Sequence, residues 1–173
     1  MATLAPAYRI ATGRFTSATA GARATTNQYG AIVRLDVEPS LDPEVYAFVH
    51  RIRVRFAETD AMGIVHHANY LLYLEEARVA YLRAIGRPYT EMRTDGGDHA
   101  VLECFVQYRA PLHFDDLVDV HLMLAAATRA SFQMAYLVMV DGVARATGVT
   151  VHGAVNDRGR PTRLPAWLVE LAP

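Results

Sequence analysis

The sequence predicts one α+β domain, an antiparallel sheet wrapped around a single long helix. Two observations carry this prediction. Residues 68–85 contain no Pro or Gly and are mostly good helix formers. Five other segments place apolar residues at every second position, as strands with one buried face do. Strands that are segregated from one long helix indicate an α+β domain.

The first strand of this domain is predicted at residues 50–56. Ile52, Val54 and Phe56 alternate there with three arginines, so apolar groups face one side of the strand and cations face the other. The chain then continues into a loop in which Gly63 permits a bend. The sequence therefore predicts a half-exposed strand that leads into a turn.

The helix is predicted over residues 68–85, and Gly86 and Pro88 supply its stop. Apolar residues cover most of its circumference. The charged minority consists of Glu75, Glu76, Arg78 and Arg83. A helix that is apolar nearly all round is a buried helix, so we expect this one to form the centre of the domain.

Four further strands are predicted after the helix, at residues 100–109, 117–124, 132–140 and 143–155. Asp141-Gly142 between the last two is a strong signal for a two-residue hairpin, because a type I′ turn requires positive φ at both central positions. These strands complete the predicted antiparallel sheet.

Composition excludes several classes of protein. The chain has 173 residues, 52% of them hydrophobic, and a formal net charge of −1. A chain of this length can bury a core without metal or disulfide staples, and the single Cys104 can form neither an intrachain disulfide nor a cysteine-based zinc site. No apolar run approaches the roughly 20 residues of a membrane-spanning helix. All 17 basic residues are arginine, which excludes Schiff-base chemistry and a P-loop lysine.

Residues 1–41 are interpreted as an N-terminal extension of unknown role, and residues 42–173 as the domain itself. Residues 1–35 hold four arginines and no acid. We expect the extension to be partly disordered or to add a strand, since residues 31–37 are β-like. Acid-poor, Ser/Thr-rich composition is also typical of organellar transit peptides, but no clear amphipathic helix supports that alternative. The extension lacks a helix-turn-helix pattern, so no nucleic-acid partner is expected.

One run of residues resembles the signature of a known family. It contains Asp60, Gly63, Ile64, Val65, His67, Ala68, Asn69 and Tyr70 at the family's spacing. Residues 108–111, 114–116, 131–132 and 159–161 are also similar to family segments in the same order. The chain thus resembles the hot-dog-fold acyl-CoA thioesterases of the 4-hydroxybenzoyl-CoA thioesterase-like branch, over roughly residues 46–168.

The resemblance implies a fold, an activity and a site. The fold is the hot-dog fold, and the activity is hydrolysis of a fatty or aromatic acyl-CoA to the free acid and CoA. Asp60 is implied as the base or nucleophile, and the backbone N–H of His67 as the oxyanion donor. Gly63, Val65, Asn69 and Tyr70 are implied to position the substrate. A helix N-terminus presents unpaired N–H groups and a positive dipole end, which suits an oxyanion.

Some members of the branch carry a catalytic Tyr where this chain has Phe56. Because Phe56 has no hydroxyl, the substrate preference or catalytic efficiency of this chain is expected to differ from that of those members.

Other interpretations of these residues remain open. Asp60 could be only a turn or cap residue. His66 and His67 could be metal ligands, but adjacent histidines point in different directions and no zincin spacing follows, so we expect no metal. Glu75 or Glu76 could be the catalytic acid of another hot-dog lineage, although salt bridges or contacts with a partner subunit are favoured. Glu58 is interpreted as a polar neighbour of Asp60.

Partners and alternatives follow from the same resemblance. It implies a homodimer or homotetramer with active sites at the subunit interface, acting on an acyl-CoA or acyl-carrier-protein thioester without a further cofactor. The candidate contacts to the CoA phosphates are Arg109, Arg129, Arg158 and Arg160. A hydratase or dehydratase of the same fold, or a non-catalytic acyl-CoA-binding protein, remains an alternative. A cytoplasmic location is expected.

Overall fold

The computed structural model describes residues 25–26, 32–33, 37–90 and 98–173. The strands are β1 (Thr25–Thr26), β2 (Ile32–Val33), β3 (Phe48–Arg53), β4 (Asp98–Tyr108), β5 (Leu117–Ala127), β6 (Ser131–Val140) and β7 (Val143–Val155). The helices are α1 (Asn69–Ala84) and α2 (Ala166–Glu170), and short 3-10 turns occupy Pro43–Val45 and Phe56–Glu58. The predicted helix is therefore confirmed to within one residue at each end.

The main sheet has five antiparallel strands in the order β3-β5-β6-β7-β4. Helix α1 packs on one face of it, and its Leu74 and Ala77 are fully buried with Leu122 of β5 and Tyr136 of β6. Gly148 lets α1 approach β7 closely, because a Cβ there would lie 2.9 Å from Leu74 Cδ1 and the Leu74 side chain would have to shift. This arrangement confirms the predicted α+β class.

The connection between β6 and β7 is the predicted hairpin. Asp141 has φ of 49° and Gly142 has φ of 76°, so both central residues adopt the positive φ that a type I′ turn requires. The paired register runs outward from Val140 opposite Val143.

Three expectations about exposure were wrong. The strand predicted to reach Phe56 ends at Arg53, and Phe56 lies in a 3-10 turn with its side chain 75% exposed. Helix α1 is not buried all round, because Leu71 and Leu72 face solvent. Strand β4 crosses over to pair with β7 at the edge of the sheet, and it leaves apolar side chains about half exposed. These are Val101, Leu102, Phe105 and Tyr108.

The proposed N-terminal extension lies almost wholly outside the described residues. Within it, Thr25–Thr26 and Ile32–Val33 pair as a short antiparallel ladder. Val37 packs against a second buried cluster on the face of the sheet away from α1, which contains Tyr46, Leu137 and Met139. Among the described residues, no helix is long and apolar enough to cross a membrane.

Candidate active site

Asp60 opens a tight loop in front of α1. Its backbone N–H donates to the carbonyl of Ile64 over 2.8 Å, and its own carbonyl accepts from the N–H of Gly63 over 2.9 Å. Gly63 takes φ of 74°, which glycine adopts without strain. The Asp60 carboxylate accepts the N–H of Met62 at Oδ1 over 2.8 Å, and no hydrogen bond from a described residue reaches Oδ2. Asp60 is thus a turn residue that keeps one carboxylate oxygen available in a half-exposed position.

Backbone pairing ties the two ends of this loop together. Thr59 and Val65 form an antiparallel bridge, and His66 N–H donates to the carbonyl of Glu58 over 2.9 Å. Buried Val65 donates to the carbonyl of Leu112 over 2.8 Å, which anchors the loop to the segment before β5. The loop therefore holds Asp60 beside the start of α1.

At the start of α1, the backbone N–H of His67 has no acceptor among the described residues. The N–H of Ala68 donates to Nδ1 of His66 over 3.3 Å, and the N–H of Asn69 donates to the carbonyl of His66 over 2.9 Å. His67 is exposed, so its N–H, at the positive end of the helix, can donate a hydrogen bond to an oxygen of a ligand.

The C-terminal end of β4 closes against this helix start. The hydroxyl of Tyr108 donates to the carbonyl of His67 over 3.1 Å, and the Tyr108 ring meets the buried Tyr70 ring edge-on at 4.9 Å between centroids. These contacts fix the His67–Ala68 peptide, which directly follows the His67 N–H along the chain.

A hydrogen-bonded group centred on Glu58 joins the loop to α1, and we call it the Glu58 network: Arg55, Glu58, Asn69 and Tyr73. The Glu58 carboxylate is buried and accepts from Tyr73 Oη at 2.7 Å, from the Arg55 N–H at 2.8 Å and from the Arg55 guanidinium at 2.6 and 2.8 Å. Its backbone carbonyl accepts from Asn69 Nδ2 at 2.7 Å.

Two opposing effects set the charge state of Glu58. Burial alone raises the pKa of this carboxyl, but the hydrogen bonds from Tyr73 and Arg55 outweigh burial and leave the pKa below its ordinary value. Burial and the contact with Glu58 raise the pKa of the Tyr73 hydroxyl, so it remains a donor. Glu58 is accordingly a charged anchor between the Asp60 loop and α1, a larger role than that of a polar neighbour.

The four candidate CoA-binding arginines lie at opposite ends of the sheet. Arg109 follows β4 at the end where Tyr108 meets α1, and its side chain donates to Gln107 over 2.8 Å. Arg129, Arg158 and Arg160 lie near the other end, where Ala130 accepts from Ala154 and residues 156–160 form a turn. The two ends are separated by β4, whose 11 residues span about 33 Å. Within one chain, only Arg109 lies at the end that holds Asp60.

The remaining candidates are two adjacent histidines before α1 and two glutamates on α1. The expectation that His66 and His67 point in different directions was wrong, because their ring centroids lie 4.1 Å apart. Among the described residues, no three His, Cys, Asp or Glu side chains are grouped as metal ligands. Glu75 and Glu76 are exposed and line a shallow cleft on the outer face of α1, where Glu76 bonds to His50 over 3.0 Å.

Sequence reasoning missed a second polar group, which lies between α1 and the sheet. Arg78, His99 and His152 are each at least nine-tenths buried. Alternation in β7 does not reveal His152, because the valines at 143, 149, 151 and 155 mark the opposite face of the strand as the apolar one, whereas the face with Ala146, His152 and Ala154 is buried in the core.

Comparisons with known proteins match this architecture. The thioesterase-like superfamily matches residues 54–171. A protein of Aquifex aeolicus, named provisionally as an esterase, is 41% identical over 124 residues, which are 72% of this chain and 96% of that one. A 1,4-dihydroxy-2-naphthoyl-CoA hydrolase of Synechococcus elongatus is 28% identical over 122 residues, 66% of this chain and 90% of that one.

A solved structure agrees with them. A gentisyl-coenzyme A thioesterase superposes with a TM-score of 0.65 and 28% identity over 68% of this chain and 96% of its own. The predicted hot-dog fold is thereby confirmed, and so is the predicted enzyme class, a thioester hydrolase. From its matched residues, its sheet-and-helix architecture and its similarity to these proteins, the chain belongs to the thioesterase-like superfamily.

Proposed function

We propose that the chain hydrolyses an acyl-CoA thioester, with Asp60 as the base or nucleophile and the His67 N–H as the oxyanion donor. One observation carries the proposal: the loop ties a half-exposed carboxylate to the helix start, and neither Asp60 Oδ2 nor the N–H of the exposed His67 forms a hydrogen bond with a described residue. Thioester hydrolysis needs both groups, since a carboxylate must attack the carbonyl carbon or deprotonate the attacking water, and a donor must stabilise the negative charge that develops on the carbonyl oxygen.

Two routes of hydrolysis are available at this site. Either water, deprotonated by Asp60, or the Asp60 carboxylate itself attacks the thioester carbonyl carbon. The carbonyl oxygen becomes negative and accepts the His67 N–H. Collapse of this intermediate breaks the C–S bond and releases coenzyme A, which leaves as the thiol once protonated. On the nucleophilic route, water then cleaves the acyl-Asp60 anhydride, so both routes give the free acid.

Two of the three proteins named above, the 1,4-dihydroxy-2-naphthoyl-CoA hydrolase and the gentisyl-coenzyme A thioesterase, are named for aromatic acyl-CoAs, and these names favour an aromatic or other bulky acyl group here. The outer face of the helix start offers apolar surface for such a group, because Phe56 packs edge-on against Phe114 at 5.7 Å and both remain exposed. Phe56 cannot donate a hydrogen bond, so only packing is expected from it.

We also propose that the active unit is a homodimer formed through β4. The outer edge of β4 pairs with no described strand, and its exposed apolar side chains would be covered by a second copy. A two-fold axis normal to the sheet pairs the two β4 strands antiparallel. That pairing carries the partner's Arg129, the partner's Arg158 and the partner's Arg160 toward the end of β4 where Asp60 lies. Light scattering on the purified chain measures this state directly.

The activity is tested by free-thiol release from benzoyl-CoA, octanoyl-CoA and palmitoyl-CoA, comparing the wild type with Asp60→Asn. We expect Asp60→Asn to lower kcat by at least about a thousandfold, because the essential carboxylate is lost while the shape of the loop is kept. Asp141→Asn is the matched control, since Asn suits the same positive-φ hairpin position.

Two outcomes would contradict the proposal. Equal turnover by Asp60→Asn and the wild type would remove Asp60 from the mechanism. Absence of thiol release from every thioester, with retained binding of the acyl-CoA, would make the chain a binding protein.

A further inference from the structure

Three buried polar side chains converge between α1 and the sheet, away from Asp60. Arg78 of α1, His99 of β4 and His152 of β7 have exposed fractions of 6%, 5% and 1%. Among the described residues, Arg78 Nη1, His99 Nε2 and His152 Nδ1 have no hydrogen-bond partner. Buried polar atoms are nearly always paired in proteins, so three unpaired atoms in one place indicate a missing partner.

The neighbours of these groups are satisfied by one another, and they fix the two imidazoles. Thr150 Oγ1 lies 2.7 Å from His152 Nε2 and 3.0 Å from the hydroxyl of Tyr136. The His152 ring stacks on Phe132 at 4.7 Å between centroids, and His99 meets the same ring edge-on at 5.1 Å. We call Arg78, His99 and His152 the Arg78 cluster.

The cluster has one permanent positive charge, on Arg78. The Asp98 carboxylate accepts from Tyr89 Oη over 2.7 Å, and its charge opposes the lowering of the His99 pKa by burial. Arginine remains protonated in proteins, and no carboxylate among the described residues forms an ion pair with Arg78. Its described contact is with the face of the Tyr89 ring, 5.8 Å from the guanidinium carbon to the centroid. Burial, and then the nearby charge of Arg78, lower the pKa of His152 to about 3. The histidines are therefore neutral at pH 7 and can donate hydrogen bonds without adding charge.

The position of the cluster suits the far end of an acyl group. Arg78 follows Asn69 by nine residues, which places it about 14 Å along α1 from the helix start. The side chains between them are apolar and packed, because Tyr70 and Leu74 of α1 are buried in the core and Val106 of β4 packs against it. The cluster also lies near exposed chain, since Arg78 acts electrostatically on the exposed Cys104 of β4.

From this arrangement we propose that the Arg78 cluster binds a carboxylate at the far end of the acyl group, so that the preferred substrate is the mono-CoA thioester of a dicarboxylic acid. A carboxylate supplies the ion-pair partner that no described residue gives Arg78, and it accepts the guanidinium and imidazole donors together. The middle of such an acyl group is hydrocarbon, and the side chains between the cluster and the helix start are apolar. This inference rests on the proposed hydrolysis of acyl-CoA.

The test compares three thioesters of equal reach. Suberoyl-CoA ends in a carboxylate, 8-methylnonanoyl-CoA ends in an uncharged group of the same shape, and 8-hydroxyoctanoyl-CoA ends in a hydroxyl. We expect the wild type to favour suberoyl-CoA over 8-methylnonanoyl-CoA in kcat/KM by roughly tenfold to a hundredfold, as for a hydrogen bond to a charged group. We expect Arg78→Met to abolish this preference while still hydrolysing 8-methylnonanoyl-CoA. Arg83→Met, an exposed arginine on the same helix, should retain the preference.

A binding measurement separates this inference from the proposed function. Free suberate should raise the melting temperature of the wild type and of Arg83→Met but not that of Arg78→Met. If suberate stabilises the wild type while no thioester is cleaved, the proposed function fails and the carboxylate site stands. If thioesters are cleaved without preference for suberoyl-CoA, or 8-hydroxyoctanoyl-CoA is preferred over it, the carboxylate site is wrong.

Discussion

Two buried charged groups, one at the N-terminal end of α1 and one near its middle, have opposite surroundings. At the N-terminal end of α1, Glu58 is surrounded by donors from Arg55 and Tyr73. Nine residues along the helix, Arg78 is equally buried but has no ion-pair partner among the described residues. A satisfied buried charge fixes geometry, whereas an unsatisfied one raises the free energy of the empty protein. The first arrangement suits a catalytic loop, and the second suits a site that awaits a ligand.

The largest expected effect concerns acid. His152 has a pKa of about 3 in the folded chain, against its ordinary 6.5. Between these values the unfolded chain binds a proton that the folded chain excludes, so stability is lost as pH falls from 6.5 toward 3. We expect the wild type to lose about 3 kcal/mol more than His152→Gln in the free energy of unfolding between pH 7 and pH 4, since one pKa unit corresponds to about 1.4 kcal/mol.

Urea unfolding at the two pH values measures this difference. His113→Gln is the matched control, because it makes the same replacement at an exposed histidine outside the Arg78 cluster. If His152→Gln and the wild type respond equally to acid, the Arg78 cluster does not exclude the proton.

The next effect concerns the Glu58 network. Glu58→Gln leaves the Tyr73 hydroxyl and the Arg55 donors with a neutral partner, and we expect it to lower the free energy of unfolding at pH 7 by about 2 kcal/mol. Because the folded pKa of Glu58 is lowered, its contribution is present above its ordinary value of 4.5 and is lost as pH falls below it. The difference between variant and wild type should therefore shrink in acid.

The same variant should also affect catalysis, since Glu58 anchors the loop that carries Asp60. We expect a lower kcat with little change in KM, measured by thiol release. Glu76→Gln provides the control, because Glu76 is an exposed acid on α1 that bonds only to His50 among the described residues. A kcat for Glu58→Gln equal to that of Glu76→Gln would show that the network does not position the loop.

The part of this molecule that the sequence could predict depends on neighbours along the chain. The hairpin at Asp141-Gly142 and the helix after Ala68 follow from local backbone preferences, and both are confirmed. Phe56 was misplaced because alternation alone does not show where a strand ends. After Arg53 the Glu58 carboxylate accepts a hydrogen bond from the N–H of Arg55, and the chain forms a 3-10 turn.

The rest depends on long-range register. The sequence around His99 does not show that β4 pairs with β7 and not with β5, the next strand along the chain. This pairing places His99 opposite Ala154. The same pairing leaves β4 at the edge, so its apolar side chains are exposed in the single chain. The Arg78 cluster arises only when three distant segments meet, and the role of Glu58 likewise requires Tyr73, which lies 15 residues away.

The smallest expected effect has the opposite sign to that at Glu58: replacing Glu58 should lower the free energy of unfolding, whereas replacing Arg78 should raise it. Replacing a buried, unpaired cation by an apolar side chain of similar length removes a desolvation cost and fills the same space. We therefore expect Arg78→Met to raise the free energy of unfolding by about 1 kcal/mol in the absence of ligand, measured by urea unfolding at pH 7. Arg83→Met should change it by less than about 0.5 kcal/mol, since exposed substitutions rarely matter more. A clear loss of stability in Arg78→Met would mean that Arg78 is already paired, and the contrast with Glu58 would disappear. A gain, together with lost preference for suberoyl-CoA, would show that the guanidinium is retained for its ligand at a cost to the fold.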